Sequence, residues 1–380
     1  MIITILLILV ASICPDIYIW HNFVRGGAMP WCLLHWLPLA AIVVVMSLAA
    51  TGHQQDFVFK AIVFFTVCII VPKLLFVLLS LIGRGAALLW PSASSVGNVA
   101  GVVVALVTLG CSLYGCVAGW RHLVERQIEH SFHDLPVSFE GYRIVHLSDL
   151  HLGTYASSPA TVREIVDSVN ALDADLVVFT GDIVNGHPSE LEPFTSVLSQ
   201  IKARDGVLSI LGNHDYCMYH RYAGTDNQAD AVRRLISLER SMGWNLLLNE
   251  RVVLHRGKDS IVVAGVENVS RPPFPNRGDL KRALQGVGDA FTVMLTHDPT
   301  HWRDEVLPAS RAQLTLSGHT HAMQLRIGRF SPSMWLFKEW GGVYREGNRV
   351  LNVSTGTGGN VPFRFGAWPE IDVLTLHHAR

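Results

Sequence analysis

The first 120 residues are arranged in long apolar runs separated by short polar breaks. From about residue 124 the apolar runs shorten to strand length, and most end in polar side chains. Four runs, at residues 1–20, 33–50, 57–82 and 96–118, are each long enough to cross ~30 Å of hydrocarbon as a helix. Trp20, Trp31, Trp36, Trp90 and Trp120 lie near their ends, where indole rings favour the membrane interface. The first run lacks the basic start and small-residue cleavage site of a signal peptide, so it is read as a span. The third contains Pro72 and Lys73; a tilted or broken helix with Lys73 snorkelling toward the interface is the expectation.

Beyond residue 124 the pattern is that of alternating strands and helices. "VERQIEHSFHDL" alternates at period two and predicts a lead-in strand. Apolar runs then close on polar clusters in "RIVHLSDLH" (143–151), "DLVVFTGD" (175–182), "GVLSILGNHD" (206–215), "FTVMLTHD" (291–298) and "AQLTLSGHTH" (312–321). "NLLLNERVVLH", "SIVVAGVEN", "RVLNVS" and "IDVLTL" predict further strands. Helical spacing of apolar residues predicts helices over 160–171, 189–203, 226–242, 278–286 and 299–307. The expected organisation is a helical membrane domain (1–120), a linker and lead-in strand (121–139) and an α/β domain (140–380). In such sheets functional groups gather beyond the carboxyl ends of strands, which is where the polar clusters fall.

Composition sharpens this division. The mean hydropathy is +0.31 and only 16% of residues are charged. Within residues 1–120 the charged side chains are Asp16, Arg25, Asp56, Lys60, Lys73 and Arg84 alone. The remainder has no Lys/Arg run and the whole chain has a net charge of -1, which argues against a nucleic-acid partner. Cys217 is the one cysteine outside the apolar part, so the second domain has no internal disulfide, and no zinc-finger spacing occurs. With four spans both termini lie on one side. Lys60, Arg121 and Arg126 border that side and Arg25 and Arg84 the other, a small bias toward a cytoplasmic catalytic domain.

The strand-end residues Asp149, His151, Asp182, Asn213, His214, His297, His319 and His321 bring two carboxylates, one amide and five imidazoles. This nitrogen–oxygen set without thiolate suits Mn, Fe or Zn and is large enough for two ions. Taken singly, the pieces are ordinary: a turn Asp beside a core His accounts for Asp149 and His151, and Gly-Asp is common turn chemistry. GNHD and the HTH pair are more specific for metal. All of them in this order, each closing an apolar run, point to a dinuclear site acting on phosphorus.

The ordered set DLH–GD–GNHD–H–GHTH resembles the calcineurin-like metallophosphoesterase family over roughly residues 140–325. "HLSDLHLG", "LSGHTH" and "TGTGGNVPFRFGAWPEI" are similar to its membrane-associated bacterial YaeI/YkuE-type branch, which includes phosphohydrolases of lipid-linked substrates such as UDP-diacylglucosamine. The resemblance implies a four-layer α/β/β/α sandwich and two divalent ions, with Mn the first choice. Asp149, His151, Asp182 and His321 would hold one ion; Asp182 as a bridge, Asn213, His297 and His319 would hold the other. His214 would approach the phosphate or leaving group, with Asp215 orienting it. Metal-bound hydroxide would then cleave a phosphodiester or pyrophosphate bond at a bacterial inner membrane. A phosphodiesterase of soluble nucleotides or phosphosugars, and a non-catalytic membrane sensor, are the alternative readings.

One departure stands out. The chain reads Ala322, Met323, Gln324 where that branch commonly has two glycines before Gln. Two insert-like loops, 216–229 and 330–344, flank the motifs. The second, with Trp335, Leu336, Phe337 and Trp340, either folds onto the domain's own core or meets the bilayer or an acyl chain. Arg364 is either structural or a phosphate contact. Tethering beside a bilayer raises the effective concentration of a membrane-bound substrate, so the expected partners are the lipid bilayer and a phosphorylated, lipid-linked substrate.

Overall fold

A computed structural model describes residues 2–51, 55–155, 159–220, 222, 224 and 226–379. The chain divides into two compact units, residues 1–118 with 361–363, and residues 119–360 with 364–380.

The first unit is helical: α1 (Ile2–Ile19), α2 (Met29–Thr51), α3 (Gln55–Phe65), α4 (Val71–Ala86) and α5 (Ala93–Val117). A wide turn at Thr66–Ile70 joins α3 to α4, so four candidate spans result: Ile5–Val24, Met29–Ala50, Phe57–Ala86 and Ala93–Arg121. Pro72 lies just after that wide helical turn, inside the continuous span Phe57–Ala86; its missing N–H and its ring are accommodated by the widened turn before it. A Cβ on Gly83 would come within 2.8 Å of Gly97 Cα, so α4 and α5 pack through glycines, as membrane helices commonly do. Lys73 does not simply snorkel. Its Nζ lies 2.6 Å from Asp16 Oδ1, and Asp16 is only 1% exposed. His35 Nε2 is 3.0 Å from the Asp16 carbonyl. An ionised group amid apolar helices needs such a partner.

The second unit holds two six-stranded sheets. Its strands are β1 (Val124–Phe132), β2 (Tyr142–Leu147), β3 (Leu176–Phe179), β4 (Val207–Ser209), β5 (Asn245–Leu246), β6 (Glu250–Arg256), β7 (Asp259–Gly265), β8 (Thr292–Leu295), β9 (Leu314–Ser317), β10 (Gly342–Glu346), β11 (Arg349–Val353) and β12 (Glu370–His378). One sheet runs β1-β12-β2-β3-β4-β5 and the other β10-β11-β9-β8-β7-β6. In both, four neighbouring strands are parallel: β2, β3, β4 and β5 in one, with β5 at the edge, and β7, β8, β9 and β11 in the other.

Alternation within each strand builds the layers. Ile144, Val178, Leu208, Val293 and Leu316 point between the sheets. Val145, Val177 and Val207 point outward against α6 (Pro159–Ala171), α7 (Thr195–Leu198) and α8 (Gln228–Ser241). Met294 and Leu351 point outward from the second sheet against α9 (Leu280–Ala283) and the turn Trp302–Val306 that leads into α10 (Leu307–Ala309). The result is the expected α/β/β/α order. Two local expectations fail. The helix expected over 189–203 is broken into short turns, since Pro193 in its interior cannot donate to a continuous helix. Part of the loop expected over 330–344 is β10, paired antiparallel with β11.

The pair in the membrane unit yields a prediction. Asp16→Ala or Lys73→Ala alone lowers stability by about 3 kcal/mol, seen as a lower thermal midpoint of detergent-solubilised protein. The double variant recovers much of the loss.

Candidate metal centre

The site forms where β2, β3 and β4 of one sheet and β8 and β9 of the other end. Asp149 and His151 follow β2, Asp182 follows β3, Asn213 and His214 follow β4, His297 follows β8, and His319 and His321 follow β9. Asp149, His151, Asp182, His319 and His321 all adopt left-handed backbone, with φ of 55°, 49°, 61°, 73° and 50°. Each such residue costs of the order of 1 kcal/mol or more, and persists only where its surroundings dictate it. The turns must therefore be tightly packed. A Cβ on Gly318 would overlap Ser148 Oγ and Asp149 Oδ2, so only glycine lets this strand end approach the other sheet.

The side chains form two overlapping clusters. Ligand atoms of Asp149, His151, Asp182 and His321 lie within 4.8 Å of one another, as do those of Asp182, His297 and His319. Asn213 joins the second: its Oδ1 is 3.2 Å from His297 Nε2 and 2.8 Å from His319 Nδ1. Asp182 Oδ2 belongs to both, 3.7 Å from His151 Nε2 and 3.1 Å from His297 Nε2.

Proton positions show that these groups fit a cation. His297 Nδ1 lies 2.7 Å from the Thr180 carbonyl, so Nδ1 carries the proton and neutral His297 presents a lone pair at Nε2. That lone pair faces only acceptors or another imidazole nitrogen: Asp182 Oδ2, Asn213 Oδ1 and His319 Nδ1 at 3.2 Å. In the other cluster His151 Nε2 and His321 Nε2 are 3.1 Å apart and His321 Nε2 is 3.2 Å from Asp149 Oδ1; there Arg364 donates to His321 Nδ1 at 3.2 Å, so neutral His321 carries its proton on Nε2. Without a cation a proton takes its place. Burial works against a charged His297, but Asp182 beside it pushes its pKa up to about 10. Burial alone would raise Asp149 and Asp182; His321 and His297 respectively hold them well below the usual carboxylate range.

A family model for calcineurin-like phosphoesterases matches residues 142–323. The uncharacterized metallophosphoesterase YkuE of Bacillus subtilis is 30% identical over 273 residues, covering 67% of this chain and 88% of that protein. This chain belongs to the calcineurin-like phosphoesterase family. It joins a calcineurin-like phosphoesterase domain to four candidate membrane spans. A transmembrane protein with metallophosphoesterase domain from Danio rerio is 30% identical over 290 residues, covering 73% of this chain. The chain spans 63% of that relative and 62% of its Bos taurus counterpart. A dimetal phosphatase structure from Danio rerio aligns at 15% identity and a TM-score of 0.36, covering 63% of this chain and all of that one.

Around the clusters, the structure departs from expectation at Asp215. That carboxylate does not meet the His214 ring. It accepts the backbone N–H groups of Asp182 (2.7 Å), Ile183 (2.9 Å) and Gly212 (2.8 Å). It is fully buried, and burial together with Asp182 pushes it up to about 7. It therefore pins the turn carrying Asp182. His214 is oriented instead by the Asn185 carbonyl, 2.6 Å from its Nδ1. Glu190 in turn accepts the Asn185 and His187 N–H groups at 2.5 and 3.1 Å.

Three further residues escaped the sequence reading. Thr180 aims His297 through its carbonyl, while its hydroxyl links His146 and Ser148 at 2.8 Å each. Tyr219 accepts the Asn213 amide at 3.2 Å and lies against the His214 ring at 4.4 Å, which fixes the Asn213 oxygen toward the cluster. Tyr219 belongs to the expected 216–229 loop, of which residues 221, 223 and 225 lie outside the described residues. Arg364 is 1% exposed and donates to the carbonyls of Thr355, Gly358 and Ala367 and to His321 Nδ1 at 3.2 Å, so it braces the His321 ring from behind the cluster.

Two outcomes follow. Metal ligation needs neutral His297, whose raised pKa keeps it protonated below about 10 in the metal-free protein. Mn²⁺ uptake at pH 7.5 should thus release about one proton, read by calorimetry in buffers of different ionisation enthalpy, and affinity should fall as pH falls. Gly318→Ala should lower bound metal measured by elemental analysis.

Proposed function

We propose that this metallophosphoesterase binds two divalent cations and hydrolyses a phosphodiester or pyrophosphate bond of a lipid or lipid-linked substrate. The observation that carries the dinuclear reading is the position of Asp182 Oδ2, shared by the two nitrogen clusters. Asp149, His151, Asp182 and His321 would hold one cation; Asp182, Asn213, His297 and His319 would hold the other. Bound there, divalent cations supply Lewis acidity, polarising the phosphoryl group and lowering the pKa of water. Mn²⁺, Fe²⁺ and Zn²⁺ all suit the donor set.

The chain's own groups do the rest. The Thr180 carbonyl and the Asn213 amide, itself held by Tyr219, fix the directions of the ligand atoms. His214 keeps its Nδ1 proton on Asn185, so Nε2 is the nitrogen that exchanges a proton with the leaving oxygen. Asp215 holds the Asp182 turn by its backbone. His214 is half-buried, its ring 4.8 Å from that of His151 and perpendicular to it, close to the first cluster without joining it.

Support for a lipid-linked substrate comes from the four candidate spans in the same chain. A catalytic unit joined to a bilayer meets membrane-bound substrate at high effective concentration. UDP-diacylglucosamine is one candidate, and a bacterial plasma membrane with a cytoplasmic catalytic unit is the proposed setting.

His214→Ala should lower hydrolysis of bis-p-nitrophenyl phosphate about 10²- to 10⁴-fold with metal retained, whereas Asp182→Ala should lose metal. Equal metal loss in both variants contradicts the role of His214. A panel of UDP-diacylglucosamine, polyprenyl pyrophosphate, glycerophosphodiesters and soluble nucleotides, run on full-length protein in lipid, tests the substrate class. Turnover of soluble compounds alone contradicts it.

A further inference from the structure

The segment that follows His321 presents apolar side chains to the surface instead of folding them inward. Met323 is 47% exposed, Ile327 61%, Phe330 39%, Met334 48%, Trp335 73% and Leu336 68%. In a soluble surface such residues occur singly; gathered in one segment they mark an interaction site. The same stretch, residues 322–338, contains Arg326, Arg329 and Lys338 and no Asp or Glu. All three cations are exposed. Elsewhere in this unit exposed arginines meet acids, as in Arg204 with Asp173, Arg271 with Asp304 and Arg311 with Asp289. Among the described residues none of Arg326, Arg329 and Lys338 is in an ion pair.

The display is built. Ile327 and Phe330 exchange backbone hydrogen bonds at 2.9 and 3.0 Å, closing a tight loop. The Phe330 and Trp335 rings pack at 5.5 Å. Ser331 Oγ donates to the Ala322 carbonyl at 2.7 Å, tying the loop to the ligand His321 one residue before it. Met323 sits at φ 47° and Ala322 at φ 51°, in the left-handed region that favours glycine. The backbone thus holds an exposed apolar side chain in a conformation that disfavours one. At the other end of the loop, Phe337 meets the His319 ring edge-on at 5.5 Å.

We infer that residues 322–338 form a docking surface for an anionic lipid bilayer. Exposed apolar side chains flanked by unpaired cations suit the boundary between acyl chains and negative headgroups. The chain supplies that bilayer itself: the last candidate span ends at Arg121 and β1 starts at Val124. Docking brings the surface beside His319 and His321 to the headgroup layer. The inference is separate from the substrate reading, because it is tested without turnover.

Hydrogen–deuterium exchange on full-length protein, one chain per nanodisc, compares phosphatidylglycerol with phosphatidylcholine discs and with detergent. Backbone amides of 325–338 should exchange more slowly in the anionic discs. Trp335→Ser/Leu336→Ser and Arg329→Glu should each remove that protection, with metal content and bis-p-nitrophenyl phosphate hydrolysis retained. Equal exchange in anionic and neutral discs overturns the inference. So does protection that persists in the variants, or protection in detergent that grows with protein concentration and so reports a second copy of the chain.

Discussion

The catalytic unit depends on an electrostatic conflict that is settled by positive charge. Asp149 and Asp182 are buried among the imidazoles of His151, His297, His319 and His321, with ring nitrogens and carboxylate oxygens crowded together at 3.1–3.7 Å. Buried anions without compensation are among the most unfavourable groups in a fold. In the metal-free protein His297 compensates by holding a proton; divalent cations do so more fully. The left-handed ligand residues and the close approach at Gly318 are consequences of bringing ends of two sheets to one point. The two apolar faces of each central strand make that convergence rigid.

The hydrogen-bonded surroundings divide the labour among the strand-end residues. Thr180 and Tyr219 aim ligand atoms, and Asp215 fixes the turn before Asp182. His214 is held by a backbone carbonyl and remains outside both clusters. In the proposed reading, a group aimed this way would exchange a proton while its neighbours hold metal. The membrane unit shows the same principle on a smaller scale, where Asp16 compensates Lys73 among apolar helices.

Much of this was legible in the sequence because the information is local. Each apolar run names its strand and each terminal DLH, GD, GNHD or GHTH names what that strand delivers, so the α/β character and the clustered residues follow from short motifs, while the four-layer order was implied by the family resemblance. What was not legible depends on backbone or on distance in the chain. His214 is oriented by a carbonyl, which carries no side-chain signature, and Asp215 was consequently given the wrong partner. Lys73 and Asp16 are 57 positions apart, and nothing near either one predicts the pair. The 189–203 pattern has helical spacing, yet Pro193 overrides it. For the 330–344 segment the sequence left open whether it folds onto the core or faces outward; it divides into half-buried Phe337 and Trp340, outward Trp335 and Leu336, and a strand. Only packing decides which side chains face in.

The central claim is that Asp182 is shared between two cations. Anomalous diffraction from crystals of the Mn²⁺-loaded full-length protein tests it directly. The account predicts two peaks about 3.5–4 Å apart, one on each side of the Asp182 carboxylate. A single peak, or two peaks with Asp182 bound to neither, would contradict it.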